Sequence, residues 1–206
     1  MATLLFYEKP APLNVEVHLK ARMGSLGNDA RFAAKTNSIP LAAVEFIDTA
    51  REYPIAFTGQ EGGAMFPIAL VGVRHNENLF VNTDHRWDGR YIPAFVRRYP
   101  FVLAEKQGAD DFSVYIDEAY PGFGAEDGER LFTDAGERTP VLQQALEFLS
   151  TYQGEITRTR MFVERLQALK LLIPRVLEVV RNNEPPMVLQ GFSVVDEQRL
   201  AELGDA

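Results

Sequence analysis

Residues 139–174 read TPVLQQALEFLSTYQGEITRTRMFVERLQALKLLIP, and they form the longest periodic stretch of the chain. Apolar side chains recur there every three or four residues, which predicts a helix with one buried face. Thr139 fits the N-cap and Pro140 the first helical position, while Pro174 stops the pattern. We therefore expect a long helical segment over residues 140–172, roughly 45–50 Å long if it is unbroken.

A glycine inside this segment leaves two interpretations open. Gly154 lowers the helix propensity locally, so the segment forms either one long helix or two shorter ones. In both cases the apolar stripe should face the core. The stripe comprises Leu142, Leu146, Leu149, Ile156, Val163 and Leu166.

Outside this segment, the predicted strands arrive in pairs joined by turn-forming residues. Strands at 54–58 and 66–74 flank the turn 59–63, and strands at 101–105 and 111–117 flank 106–110. Strands at 176–181 and 187–195 flank 182–186. Such pairs favour an α+β fold with a mainly antiparallel sheet flanked by helices over a doubly wound α/β fold.

Shorter elements complete the prediction. Strict alternation predicts a half-buried strand at Leu13–Leu19, and helices are expected at Pro40–Tyr53 and Ile92–Arg98. The stretches 21–38 and 120–136 are rich in glycine or polar residues and are expected to be mostly loop. A third short strand is predicted at Leu79–Asn82, and a final helix after Asp196.

The composition describes an ordinary globular protein. The chain has 206 residues, of which 46% are hydrophobic and 24% charged. A chain of this length buries about 70% of its unfolded surface, so one domain with a sizeable core is expected. The absence of cysteine excludes disulfides, thiolate metal sites and cysteine nucleophiles.

The net charge is −8, and it is concentrated in one segment. Residues 105–137 hold ten acidic and two basic residues, so their local balance is also −8. This segment is either a solvated acidic region or a surface for a basic partner. The acidic balance argues against nucleic acid as a partner.

The targeting signals expected of exported or membrane proteins are missing. The N-terminal residues 1–8 have no basic region before a short apolar run, unlike a signal peptide. No apolar stretch approaches the roughly 20 residues that span a bilayer. We therefore expect a cytoplasmic protein that does not insert into a membrane.

Metal and cofactor motifs are not recognisable. The three histidines, His18, His75 and His85, lack helical i,i+4 spacing, and only His75, Asp84 and His85 could form a two-histidine, one-carboxylate set. A calcium loop starting at residue 82 would need oxygen ligands where arginine and proline stand. The chain has no Walker lysine motif, no dinucleotide fingerprint and no nucleophile elbow. We expect neither a metal nor another cofactor.

The most distinctive stretch is residues 78–101, NLFVNTDHRWDGRYIPAFVRRYPF, here called the aromatic–arginine segment. It contains the only tryptophan, several Phe and Tyr residues and four arginines. Aromatic rings and guanidinium groups together can stack on a ligand and hold its carboxylates. The alternative is a corner of the core whose arginines pair with the acidic segment.

This stretch also resembles a known family. The runs NLFV at 78–81 and WDGRYIPAFVRRYPF at 87–101 look like the SapC family of bacterial proteins. EYPIAF at 52–57 and GFSVVD at 191–196 support the similarity, which spans about residues 5–200. The resemblance implies a single SapC-like domain over residues 1–206, with room for a hairpin and helix appendage at 175–206. Since family members often extend further, residues 200–206 are expected to begin a longer helical tail.

The resemblance implies an accessory role and supplies no catalytic residues. The family is linked by name to surface-layer protein export, so we expect a cytoplasmic, non-enzymatic protein that binds a peptide or protein partner. The predicted contact residues are Trp87, Arg90, Tyr91, Arg97 and Arg98. The alternative is an enzyme of unknown reaction with a site assembled from Asp84, His85, Asp88, Arg90 and Arg97.

Overall fold

The computed structural model describes residues 5–25, 27–59, 63–105, 112–180 and 186–204. Its helices are α1 (Val15–His18), α2 (Phe46–Thr49), α3 (Ala94–Arg97), α4 (Pro140–Ala168) and α5 (Glu197–Glu202), with 3₁₀ turns at Arg31–Ala33 and Ala43–Glu45. Its strands are β1 (Pro10–Pro12), β2 (Arg22–Met23), β3 (Ser38–Pro40), β4 (Ile55–Gly59), β5 (Met65–Leu70), β6 (Phe101–Glu105), β7 (Phe112–Asp117), β8 (Glu129–Arg130), β9 (Leu172–Val179) and β10 (Met187–Val195).

These strands form three antiparallel sheets. The largest has the order β3-β5-β4-β10-β9, a second has the order β1-β7-β6, and β2 pairs with β8. The predicted α+β class with antiparallel sheets and a long helix is confirmed. The three predicted hairpins correspond to β4–β5, β6–β7 and β9–β10. The predicted turn 106–110 and most of the predicted turns 59–63 and 182–186 lie outside the described residues.

Helix α4 connects the hydrophobic clusters of the core. Its buried side chains contribute to three clusters: Leu149 to one, Tyr152 to another and Val163 to the third. The helix packs against β5 and β6 and against the 3₁₀ turn at Ala43–Glu45. The predicted stripe is therefore largely a core face, although Leu146 and Ile156 are only half-buried.

The helix is continuous through Gly154 but ends earlier than predicted. It covers 29 residues and stops at Ala168, so the predicted end at Leu172 is wrong. Lys170 takes a left-handed φ of 54°, and the amide of Leu171 donates to the carbonyl of Leu166 at 3.0 Å. This turn closes the helix and lets the chain reverse into β9.

Three short elements differ from the prediction. The predicted strand Leu13–Leu19 is wrong, because the side chain of Asn14 accepts from the amide of Glu16 at 2.8 Å and starts α1. The predicted helix at Pro40–Tyr53 is shortened to the 3₁₀ turn and α2. Leu79–Asn82 is not a strand; within it, Val81 makes an isolated bridge to Trp87. In each case, local hydrogen bonds or tertiary packing override the apolar spacing.

Candidate functional site

Trp87 lies inside the core. Its side chain is 3% exposed, and its Nε1 donates to the hydroxyl of Tyr53 at 3.0 Å and to the carbonyl of Tyr91 at 3.2 Å. The hydroxyl of Tyr53 donates in turn to the Tyr91 carbonyl at 2.6 Å. Burial raises the pKa of Tyr53 to about 12. These bonds hold the aromatic–arginine segment against the core, so Trp87 has a structural role inside the protein.

Two carboxylates fix the next residues of this segment. Glu52 accepts from the amides of Arg90 at 2.8 Å and Tyr91 at 2.9 Å, and these bonds lower the pKa of Glu52. Glu45 is 4% exposed and accepts from the Tyr91 hydroxyl at 2.8 Å and the Ala94 amide at 2.7 Å. Together they fix the start of α3.

Helix α3 ends at Arg97 and Arg98 follows it; each of these arginines contacts aromatic rings. The Arg97 guanidinium lies 5.2 Å from the ring centre of Phe148, and its Nε donates to the Ile92 carbonyl at 2.9 Å. The Arg98 guanidinium lies 3.9 Å from the ring centre of Phe95. Cation–π contacts of this kind orient a guanidinium without neutralising its charge.

In the part of the chain that the structure describes, neither arginine has an acidic partner. Across the described ranges, no carboxylate forms an ion pair with Arg97 or Arg98, so the predicted alternative of pairing with the acidic segment does not hold for them. The Nε of Arg98 is buried and has no hydrogen-bond acceptor among the described residues. Burial and the nearby Glu45 raise the pKa of Tyr91 to about 12, and the charge of Arg97 opposes this shift.

Both arginines line a cavity of about 650 Å³, here called the arginine cleft. The cleft lies where the end of α3, the first turns of α4 and two loops come together. Its lining includes Arg97, Arg98, Tyr120, Asp127, Glu129 and Phe148. The volume falls within the range of about 300–1,000 Å³ found for ligand sites.

A buried carboxylate supports the neighbouring wall of this cleft. Asp117 is fully buried and accepts from the Tyr99 hydroxyl at 3.1 Å and the Lys9 amide at 2.8 Å. Burial, reinforced by the charge of Asp117, raises the pKa of Tyr99. The Tyr99 ring stacks on Phe32 with centres 4.0 Å apart. Asp117 therefore belongs to the framework, although it lies in the acidic segment of the sequence.

The structure brings only some of the residues predicted from sequence into one cavity. Arg97 and Arg98 come together in the arginine cleft, whereas Trp87 and Tyr91 do not line it. Each of these two lines a different cavity together with Arg97. Arg90 is exposed, as are Asp84, His85 and Asp88, and none of these four lines the arginine cleft. The residues of the predicted enzyme alternative therefore do not converge there.

The sequence also missed several cleft residues. Phe148 lies beside the apolar stripe of α4, and Asp127 and Glu129 lie in a region predicted only as irregular. No spacing in the sequence links these residues to Arg97. Within the described ranges, no group of three His, Asp or Glu side chains could hold a metal ion, and no helix is long and apolar enough to cross a membrane.

Comparison with known proteins identifies one family. A family model described as SapC matches residues 13–206, nearly the whole chain. No curated protein and no solved structure matches the chain. The match includes the complete aromatic–arginine segment, β9, β10 and the residues that line the arginine cleft.

Proposed function

This chain belongs to the SapC family, and from that premise we propose that it is a non-enzymatic accessory protein that binds a peptide or protein partner. The arginine cleft is the proposed site, and the group it holds is a carboxylate of the partner. The observation that carries the proposal is the pair Arg97 and Arg98, two oriented guanidinium groups with no acidic partner in the described structure.

The chemistry of arginine favours a carboxylate as the bound group. A guanidinium presents several N–H donors in a planar fork that matches the two oxygens of a carboxylate. The rings of Phe148 and Phe95 already restrict Arg97 and Arg98, so little side-chain freedom is lost on binding. An acidic side chain or the C-terminus of a peptide would supply the missing anion.

The other walls of the cleft favour a peptide over a small free anion. Asp127 and Glu129 line the same cavity as the two arginines. A segment of polypeptide offers N–H donors and positively charged groups to these carboxylates while its own carboxylate contacts the arginines. The volume of about 650 Å³ is also large for a single carboxylate ion.

The wider role is inferred from the family resemblance. We place the protein in the bacterial cytoplasm, as one SapC-like domain over residues 1–206, with an accessory function linked to surface-layer protein export. The alternative role as an enzyme around residues 84–98 is less well supported, because Asp84, His85 and Asp88 are exposed and do not line the cleft.

A matched peptide array tests this proposal. Short peptides would be immobilised in pairs that differ only by Asp or Glu against Asn or Gln, and the affinity of purified protein would be measured on each. We expect the acidic member of a pair to bind better. Arg97→Lys should weaken that binding about tenfold, because lysine cannot form the bidentate contact.

Two controls make the result specific. Arg86→Lys changes an exposed arginine of the same segment that does not line the cleft, and it should leave peptide binding unchanged. Arg90→Lys tests whether Arg90, the remaining arginine predicted from sequence to contact the partner, contributes to peptide binding. Equal binding of acidic and amide peptides, or equal loss of binding in Arg97→Lys and Arg86→Lys, would contradict the proposed function.

A further inference from the structure

Arg98 also lines a second cavity. It has a volume of about 360 Å³ and is bounded by β5, α3 and α4. We call it the apolar cavity, because most of its lining is hydrocarbon or aromatic: Pro40, Leu41, Met65, Phe66, Phe95, Tyr152, Ile156 and Val163.

Two cations interrupt this apolar lining. Arg98 lies over the rings of Phe95 at 3.9 Å and Tyr152 at 5.6 Å, and both rings belong to the cavity wall. Arg160 reaches the same cavity from α4. Among the described residues, no Asp or Glu lines the cavity, and no carboxylate pairs with either arginine.

The Nε of Arg98 lacks a hydrogen-bond acceptor among the described residues. A buried N–H donor without an acceptor is costly, and the Nε of Arg98 is such a donor. Contact with two aromatic rings compensates the charge in part but supplies no oxygen. An anion inside the cavity would pair with the positive charges of Arg98 and Arg160, while the apolar walls would favour a ligand whose remaining surface is hydrophobic.

We propose that the apolar cavity binds a small organic carboxylate with an aromatic or aliphatic body. The cavity is more than twice the size of an engineered cavity of about 150 Å³ that binds benzene, so a body of one or two rings fits. This site goes beyond the proposed function, since it is a different cavity and takes a different class of ligand. Arg98 lines both sites, whereas Arg97 lines the arginine cleft and Arg160 the apolar cavity.

A pair of probes that differ only in charge tests the site on the unmodified protein. Isothermal titration calorimetry would compare 2-naphthoate with the neutral 2-naphthalenemethanol. We expect 2-naphthoate to bind at least about tenfold more tightly, because only it pairs with Arg98 and Arg160. Similar affinities for the two probes, or no detectable binding of 2-naphthoate, would overturn the proposal without any variant.

Variants then locate the binding. Arg160→Gln should weaken 2-naphthoate binding about tenfold while leaving the affinity for the alcohol unchanged. Arg158→Gln is the matched control on the same helix, because Arg158 pairs with Glu155 and does not line the cavity. Equal affinity of Arg160→Gln and Arg158→Gln for 2-naphthoate would place the probe elsewhere and contradict the proposal.

The two sites can be separated experimentally. Arg97→Gln should impair binding of acidic peptides and leave 2-naphthoate binding unchanged, whereas Arg160→Gln should do the reverse. If the unmodified protein bound 2-naphthoate but showed no preference for acidic peptides, only the proposed function would be contradicted. A loss of 2-naphthoate binding in Arg97→Gln would show that this probe occupies the arginine cleft, and would overturn the assignment to the apolar cavity.

Discussion

Replacing Glu45 by glutamine removes one charge and one acceptor at the point that positions α3. One carboxylate oxygen of Glu45 accepts from the Tyr91 hydroxyl at 2.8 Å and the Ala94 amide at 2.7 Å. The other accepts from the Ala42 amide at 2.8 Å. The amide group of glutamine has one oxygen and one NH₂, so whichever way it turns, the NH₂ faces a donor.

The least damaging orientation keeps the oxygen on Tyr91 and Ala94 and turns the NH₂ toward Ala42. One charge-assisted bond is then lost, at about 1.5–3 kcal/mol, and the two remaining bonds weaken because their acceptor is neutral. Glu45 is 4% exposed, so water does not readily replace the lost acceptor. We expect Glu45→Gln to reduce the free energy of unfolding by about 2–4 kcal/mol.

Urea denaturation followed by tryptophan fluorescence measures this change. Trp87 is the only tryptophan and is buried in the same core cluster as Tyr53, so its emission reports loss of that packing. Asp48→Asn is the control, because Asp48 lies on the adjacent α2, is 56% exposed and forms a surface ion pair with Arg51. A change below about 0.5 kcal/mol for Glu45→Gln would refute the reasoning.

Three further predictions concern the core, the tyrosines and metal. Leu149 is 2% exposed, so Leu149→Ala should cost about 2–5 kcal/mol in the same denaturation assay; a cost below about 0.5 kcal/mol would show that this face of α4 is not core. Burial raises the pKa of Tyr53 above its ordinary value of 10.0. Above pH 10 the tyrosine therefore loses its hydroxyl proton more readily in the unfolded chain than in the folded one. The free energy of unfolding should then fall by up to about 1.4 kcal/mol per pH unit for each such tyrosine. A free energy that stays constant from pH 8 to about pH 11.5 would contradict this. The tyrosines with raised pKa are Tyr7, Tyr53, Tyr91, Tyr99 and Tyr152. The melting temperature should be the same with and without EDTA; a drop that one specific metal reverses would contradict the expectation of no metal.

The elements that sequence analysis predicted well are those whose signal repeats over many residues. Helix α4 has apolar side chains at helical spacing along most of its length, because one of its faces packs against the core from Leu142 to Leu166. The hairpins have apolar runs on both sides of turn-forming residues. The prediction for residues 13–19 failed because the stretch is short, and the hydrogen bonds that Asn14 forms with Glu16 and His18 outweigh its alternation.

The candidate site was predictable only in part. The sequence drew attention to Arg97 and Arg98 because they are adjacent and lie among aromatic residues. It could not indicate that Phe148 and Tyr152 of α4 supply the rings that orient them, since this pairing depends on how α3 and α4 pack. The same limitation explains Trp87, which is buried in the core cluster with its indole N–H bonded to Tyr53 and Tyr91.

The buried carboxylates illustrate the same limit. Asp117 lies in a segment dense in acidic residues, and this sequence context is typical of a solvated side chain. Its actual position is fully buried, where four donors surround it, three of them backbone amides. Only the pairing of β7 with β1 brings the amides of Glu8 and Lys9 to this carboxylate.

Side-chain NMR of the arginines tests the central claim most directly. The Nε–Hε signals of ¹⁵N-labelled protein would be followed during titration with a blocked peptide that carries one aspartate, and with its asparagine analogue. If the arginine cleft binds a partner's carboxylate, the signals of Arg97 and Arg98 shift saturably with the aspartate peptide only, while those of Arg86 and Arg158 stay in place. Equal shifts in all four arginines, or no shift in Arg97 and Arg98, would contradict the account.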